Sequence, residues 1–235
     1  MHSFAEAFGQ AFALIVNFDA DLREIVFLSL QVSLTAVLVA AIIGLPFGAL
    51  LAVSRFPGRG ALVVGITALM GLPPVVVGLV VYLLLSNAGV LGPLQLLYTP
   101  TAMIIAQALL ITPIIAALAR QTIEDLNDEY DQQMTLFGLN AIQRLVTLLW
   151  EGRFSLMTAL LAGFGRAIAE VGAVIVVGGN INHVTRVMTT TIALETAKGN
   201  LALALGLGII LVAIAVTVNA MVFALRGTAE RAAYA

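Results

Sequence analysis

Between Gly60 and Ala119 the chain carries no charged residue, and a second uncharged run separates Glu24 from Arg55. Water is a poor solvent for apolar stretches of that length. A helix crosses the hydrocarbon core of a bilayer in about 20 residues, and each run supplies at least that many. The run after Glu24 makes one span. The run after Gly60 is too long for one helix and is punctuated by Ser86-Asn87, Gly89, Gly92-Pro93 and Thr99-Pro100, so it divides into spans at about 61–85 and 101–119. Pro73-Pro74 inside the first and Pro113 inside the second predict kinks or local unwinding. Two further spans follow at about 154–177, which contains Arg166 and Glu170, and at about 201–225, which is uncharged. The expected fold class is an all-α membrane protein with about five transmembrane helices.

Composition supports this solvent assignment and excludes several functions. Hydrophobic residues make up 61% of the chain and charged ones 10%, with a mean hydropathy of +1.07; soluble domains carry about 25% charged residues. There is no cysteine, and His2 and His183 are the only histidines. No His-Glu-x-x-His, Gly-x-Ser-x-Gly or Gly-x-x-x-x-Gly-Lys-Ser/Thr sequence occurs, so no recognised pattern for a zinc enzyme, a serine hydrolase or an ATP-binding loop is present. No metal site and no nucleic-acid partner are expected, and energy for any active process has to come from another subunit. The first basic residue is Arg23, which argues against a cleaved signal peptide. Residues 4–18 are apolar but too short to span, and are expected to form an interfacial helix within an N-terminal segment 1–23.

The Lys and Arg residues set the orientation. With the N-terminus outside, one face receives Arg55, Arg59, Arg120, Arg144, Arg153, Arg226 and Arg231, and the other only Arg23, Arg186 and Lys198. That asymmetry places the polar segment 120–153, and a C-terminal tail 227–235, in the cytoplasm. The polar segment reads as two helical pieces around Asn127-Asp128, with a turn at Gly138-Leu139-Asn140 that presents a short helix with an apolar face. Such a face either folds back on the chain's own spans or meets a partner, and periodicity leaves both open.

Several runs together resemble the membrane subunits of ABC importers, specifically the tungstate branch of the molybdate and sulfate permeases. They are Ser29-Leu30-Gln31-Val32-Ser33, Gly165-Arg166-Ala167-Ile168-Ala169-Glu170-Val171-Gly172-Ala173, Val177-Gly178-Gly179-Asn180-Ile181, and Thr185-Arg186-Val187-Met188-Thr189-Thr190-Thr191-Ile192 with Leu194-Glu195. The similarity extends over about 24–223. It implies a type I ABC importer transmembrane domain over 24–226 with a cytoplasmic coupling helix that docks on an ATPase subunit. The family's coupling stretch, Glu-Ala-Ala, three residues, then Gly, aligns on Gln132, Gln133, Met134 and Gly138, followed by Leu139 and Asn140; the glycine is kept and the triplet is not. The resemblance further implies a homodimer in the inner membrane, an ATPase dimer that carries ATP and Mg, and a periplasmic or lipid-anchored binding protein that delivers an oxyanion. Tungstate is the expected cargo, with molybdate and sulfate as lesser alternatives.

The polar residues within the spans are the candidate pathway. Arg166 and Glu170 stand four apart, which places them on one face of a continuous helix where they can pair. Charge at this depth costs several kcal/mol unless compensated, so the pair either fixes helix packing or lines the pathway. Asn180, Thr189 and Thr190 offer amide and hydroxyl donors suited to a tetrahedral oxyanion, although threonines in membrane helices also bond back to their own backbone. Pro73 marks either a gate hinge or a static kink, and Gly44 and Gly48 allow close helix packing. A secondary transporter or channel for a small anion is the alternative function; it would need its own coupling-ion site and inverted repeats, and neither is visible in the sequence.

Overall fold

The computed structural model describes the backbone of residues 4–17 and 20–233 and the side chains of 8–9, 11–13, 16–17 and 20–224. Parts of the expected N-terminal helix and C-terminal tail, including His2, lie outside the described residues. Among the described residues the structure is helical without strands: α1 (Phe4–Asn17), α2 (Ala20–Val53), α3 (Arg59–Met70), α4 (Pro74–Leu85), α5 (Pro100–Leu136), α6 (Ala141–Glu151), α7 (Arg153–Ile168), α8 (Gly172–Gly178), α9 (Met188–Ala197) and α10 (Leu201–Ala233). Helices α2, α5 and the 201–224 part of α10 are each long and apolar enough to cross a membrane. The pairs α3 with α4 and α6 with α7 meet the same standard as bent pairs, which allows up to five spans.

The chain forms two compact units, residues 1–35, 73–107 and 167–221 in one, and 36–72, 108–166 and 222–235 in the other. In the second unit α2 and α5 pack at contact distance. A Cβ built on Gly48 would lie 2.3 Å from the Ala116 carbonyl oxygen, and one on Gly44 3.1 Å from that of Thr112. Small residues at this crossing let the backbones approach, as their spacing predicts. Below it, Ala49, Ala52, Ala119, Ile123, Met134, Leu148 and Leu156 form a buried cluster, with Leu139, Leu145 and Leu149 packed against it. Arg59 ties the polar end of this unit together. Its Nε donates to the Leu51 carbonyl (2.7 Å) and its guanidinium to Glu124 (2.6 Å), which also receives Arg120 one helical turn away.

In the first unit α4 lies on α8 so closely that a Cβ on Gly78 would sit 2.8 Å from Ala173 Cα. Proline begins α4 where the sequence predicts unwinding: Pro73 is its N-cap and Pro74 occupies the first turn, where a missing N–H costs nothing.

Two expectations are corrected. Helix α5 runs unbroken through Asn127-Asp128 and ends at Leu136, so the polar segment breaks near Gly138 and again at Gly152, and not around Asn127. Its i,i+4 pair Arg120–Glu124 supports the helix through this stretch. Pro113, where a kink or local unwinding is expected, lies inside α5 without ending it; the Thr112 hydroxyl there donates to the Ala108 carbonyl (2.7 Å). Finally, the span expected at 154–177 is not continuous. Helix α7 stops at Ile168 and α8 begins at Gly172, so Arg166 stands in the last turn of α7 while Glu170 stands in the break. The break holds because side chains from elsewhere satisfy the backbone groups it frees.

Candidate functional site

A helix that stops inside a membrane leaves carbonyls at its end and N–H groups at the next start, and each needs a partner away from water. At the end of α7 the Ala167 carbonyl accepts from Gln107 Nε2 and from the Glu170 N–H, both at 3.1 Å. At the start of α8 the Ala173 N–H donates to Glu170 Oε1 (2.9 Å). The Glu170 carbonyl accepts from the Thr189 hydroxyl on α9 (2.8 Å). Glu170, only 3% exposed, therefore serves both sides of the break. Val75, one residue into the first turn of α4, packs on Gly172, where a Cβ would lie 2.8 Å from Val75 Cγ2. The unwound segment next to Pro73 and the break at Glu170 are thus neighbours.

The far end of α8 is closed just as fully. The Val177 carbonyl accepts from the Tyr98 N–H (3.0 Å) and the Gly178 carbonyl from the Thr185 hydroxyl (2.5 Å). Gly179 and Asn180 then turn the chain with φ of 71° and 51°, a left-handed pair that glycine and asparagine tolerate best. Asn180 Oδ1 accepts from the Thr190 hydroxyl (2.9 Å), and the Asn180 amide faces the Thr190 carbonyl at 3.4 Å. Thr191 donates back to the Val187 carbonyl (2.7 Å), the packing role that membrane threonines commonly take. The first N–H of α9, at Met188, donates to the Ser29 hydroxyl on α2 (2.8 Å), which itself donates to the Ile25 carbonyl.

The second candidate is the corner between α5 and α6. Gln132 and Gln133 are exposed on the last turns of α5, and Met134 is buried in the cluster below. The Leu139 N–H reaches the Met134 carbonyl (3.1 Å) and the Gly138 N–H that of Thr135 (3.0 Å), the paired pattern of a glycine-terminated helix, with Gly138 at φ 66°. Asn140 then caps α6: its Oδ1 accepts from the Gln143 N–H (2.9 Å), and its own N–H donates to Gln143 Oε1 (3.0 Å). Arg144 closes the corner by bonding Asp131 (2.8 Å) and the Thr135 hydroxyl (3.1 Å). The corner is rigid, and α6 has two apolar faces. Leu145, Leu148 and Leu149 point into the cluster, while Ile142, Val146 and Trp150 are 76%, 59% and 67% exposed, continuing Leu136 and Phe137 at the tip.

Residues 44–231 match the family of binding-protein-dependent transport system inner membrane components. The chain belongs to that family. It is 40% identical over 96% of its length, and 99% of the relative's, to the tungstate uptake system permease protein TupB of Peptoclostridium acidaminophilum. It is 38% identical to a probable anion ABC transporter permease protein of Haloferax volcanii, covering 77% of this chain and 80% of that one. Similarity to the sulfate transport system permease protein CysW of Escherichia coli is lower, at 27% over 83% of this chain and 70% of the other. The chain is accordingly a multi-pass permease subunit of the inner membrane.

The permease also has an ionic cluster at the start of α2. The ligand atoms of exposed Asp21, Glu24 and His183 lie within 4.8 Å of one another. His183 Nδ1 is 2.8 Å from Glu24 Oε2, and Arg186 lines the same crevice, so basic side chains already stand beside the acidic ones. The Glu24 hydrogen bond raises the His183 pKa above its ordinary value, with the charges of Glu24 and Asp21 adding to it and Arg186 opposing. A raised folded-state pKa stabilises while the imidazole is protonated, fully so below about 6.5, and the contribution is lost as pH rises through the raised value. The unfolding temperature of the wild type minus that of His183→Asn is therefore expected to be larger at pH 5.5 than at pH 8.5. A difference independent of pH would rule out this ion pair. Asparagine is chosen because His183 has φ 60°.

The sequence singles out Glu170, Thr189, Pro73 and the Gly138 turn as candidates, but not Gln107 or Ser29, whose side chains bond to backbone groups here. Gln107 did carry a signal, as the lone amide between Thr101 and Ala119.

Proposed function

We propose that this permease subunit translocates tungstate in an importer driven by a separate ATPase, which binds ATP and Mg. The observation that carries the coupling is the α5–α6 corner: a rigid turn whose exposed Ile142–Val146–Trp150 stripe is apolar although the surrounding segment is charged. An apolar stripe of this kind, rimmed by polar residues, suits a protein groove. In this reading the corner, with Gln132, Gln133, Gly138, Leu139 and Asn140 around it, docks on the ATPase. Tungstate is supported by the near full-length likeness to a tungstate uptake permease, with molybdate and sulfate as the weaker alternatives.

The remaining assignments follow from the same reading. The transmembrane domain is 24–226, with 120–153 cytoplasmic, the N-terminus outside and the 227–235 tail inside, as the distribution of basic residues favours. Phe8, Phe12 and Val16 are exposed at helical spacing on α1, which suits an interfacial helix in contact with lipid. Two copies form the pathway between them, a binding protein delivers the anion from outside, and alternating access follows ATP hydrolysis. The adjoining breaks at Pro73 and Glu170 are the gate, with Arg166 at its edge. Broken helices are where transporters place such elements. Thr189, Thr190 and Asn180 all bond within the protein here, so any contact they make with the anion requires an exchange of partners as the gate moves.

The function is tested by tungstate uptake in cells that lack their own high-affinity system and carry this permease with its ATPase and binding protein. Tungstate uptake that excess molybdate and sulfate fail to suppress supports the assignment; equal suppression by sulfate contradicts it. The gate assignment is tested by Arg166→Leu, which is expected to lower uptake about tenfold or more while leaving membrane insertion intact. Wild-type uptake by that variant removes Arg166 from the pathway.

A further inference from the structure

Beside the α7–α8 break lies a small, partly open cavity of about 10 Å³, bounded by Ser29 and Ser33 of α2, Gln107 of α5, Glu170 and Thr189. All five side chains are more than nine-tenths buried. Among the described residues Gln107 Oε1 has no hydrogen-bond partner, although Gln107 Nε2 donates to the Ala167 carbonyl. That bond fixes the amide orientation, because a flipped amide would set oxygen against oxygen. Gln107 lines the cavity, and its carbonyl oxygen lacks a donor. Leaving such a group dry in the membrane interior is costly. The cavity has room for one water and for nothing as large as a tetrahedral oxyanion, since a water needs roughly 10–15 Å³ of such space and two to four polar partners.

We propose that this cavity is a built site for a single water molecule, which donates to Gln107 Oε1 and bonds a second time to the hydroxyl and carboxylate groups around Glu170. The water completes the hydrogen bonding of the break. It links α2 and α5 to the segment between α7 and α8, so the break is held by a member that can exchange its partners without moving a helix.

The test is a structure of the intact permease in its transporter complex at about 2 Å resolution, prepared once in sodium buffer and once with choline in its place. A density peak within about 3.2 Å of Gln107 Oε1 in both preparations is the expected result. An empty cavity overturns the proposal, and so does a peak that disappears without sodium, which would make the site a cation site. A second measurement does not need a resolved water. Ser33→Val fills the cavity with methyl groups and is expected to lower the unfolding temperature by about 3 °C or more, because the water is expelled and the Gln107 oxygen stays unpaired. An unchanged or higher unfolding temperature means that the cavity is dry.

Discussion

Replacing Ile142 with aspartate is expected to cut ATP-driven uptake more than tenfold while the permease still folds and inserts. The side chain is 76% exposed and contributes nothing to the cluster beneath α6, so a charge there leaves the corner intact. In the docked state the same position would be buried in the ATPase groove. A carboxylate at the centre of such a contact costs about 2 kcal/mol or more, or some thirtyfold in affinity. The measurement is the yield of ATPase that co-purifies with the variant, alongside uptake. Leu148→Asp provides the contrast. Leu148 is fully buried in the cluster, so that variant is expected to fail at folding. If Ile142→Asp retains both ATPase and uptake, the exposed stripe is not the coupling surface.

The second large effect is on stability. Gly48→Ala is expected to destabilise the permease by about 2 kcal/mol or more, because the new methyl meets the Ala116 carbonyl oxygen at 2.3 Å and the Arg120 nitrogen at 2.9 Å. Both are backbone atoms of α5 and cannot turn away as a side chain would. Gly65→Ala on α3 is the matched control. Nothing lies within 4 Å of its Cβ position, and alanine is the better helix former by about 1 kcal/mol. Thermal unfolding in detergent should show Gly48→Ala lowered and Gly65→Ala unchanged or raised. If the two variants shift equally, the α2–α5 crossing does not depend on the missing side chain.

Much of this architecture is legible in the chain. Uncharged runs locate α2, α5 and α10, because the cost of burying charge in lipid leaves few alternatives. The turn at Gly138 is readable because a glycine followed two residues later by asparagine encodes its own left-handed stop and its own cap. The break at 169–171 is not readable in this way. Arg166 and Glu170 have the spacing of a helical pair, and the sequence shows no proline there to interrupt it. What stops α7 is supplied from distant positions: Gln107 to the Ala167 carbonyl and Thr189 to the Glu170 carbonyl. Local pattern cannot report donors that arrive only through tertiary packing. The continuity of α5 through Asn127-Asp128 has a related cause. Two polar residues read as a loop until their helix is seen to continue beside a cluster that buries its other face.

The most direct test of the account is ATPase activity in liposomes containing this permease with its ATPase partner, measured with the binding protein and with or without tungstate. The account predicts hydrolysis that rises when tungstate-loaded binding protein is added and that is lost with Ile142→Asp. Anion transport by the permease alone, unaffected by ATP, would contradict it and make the chain a self-sufficient transporter.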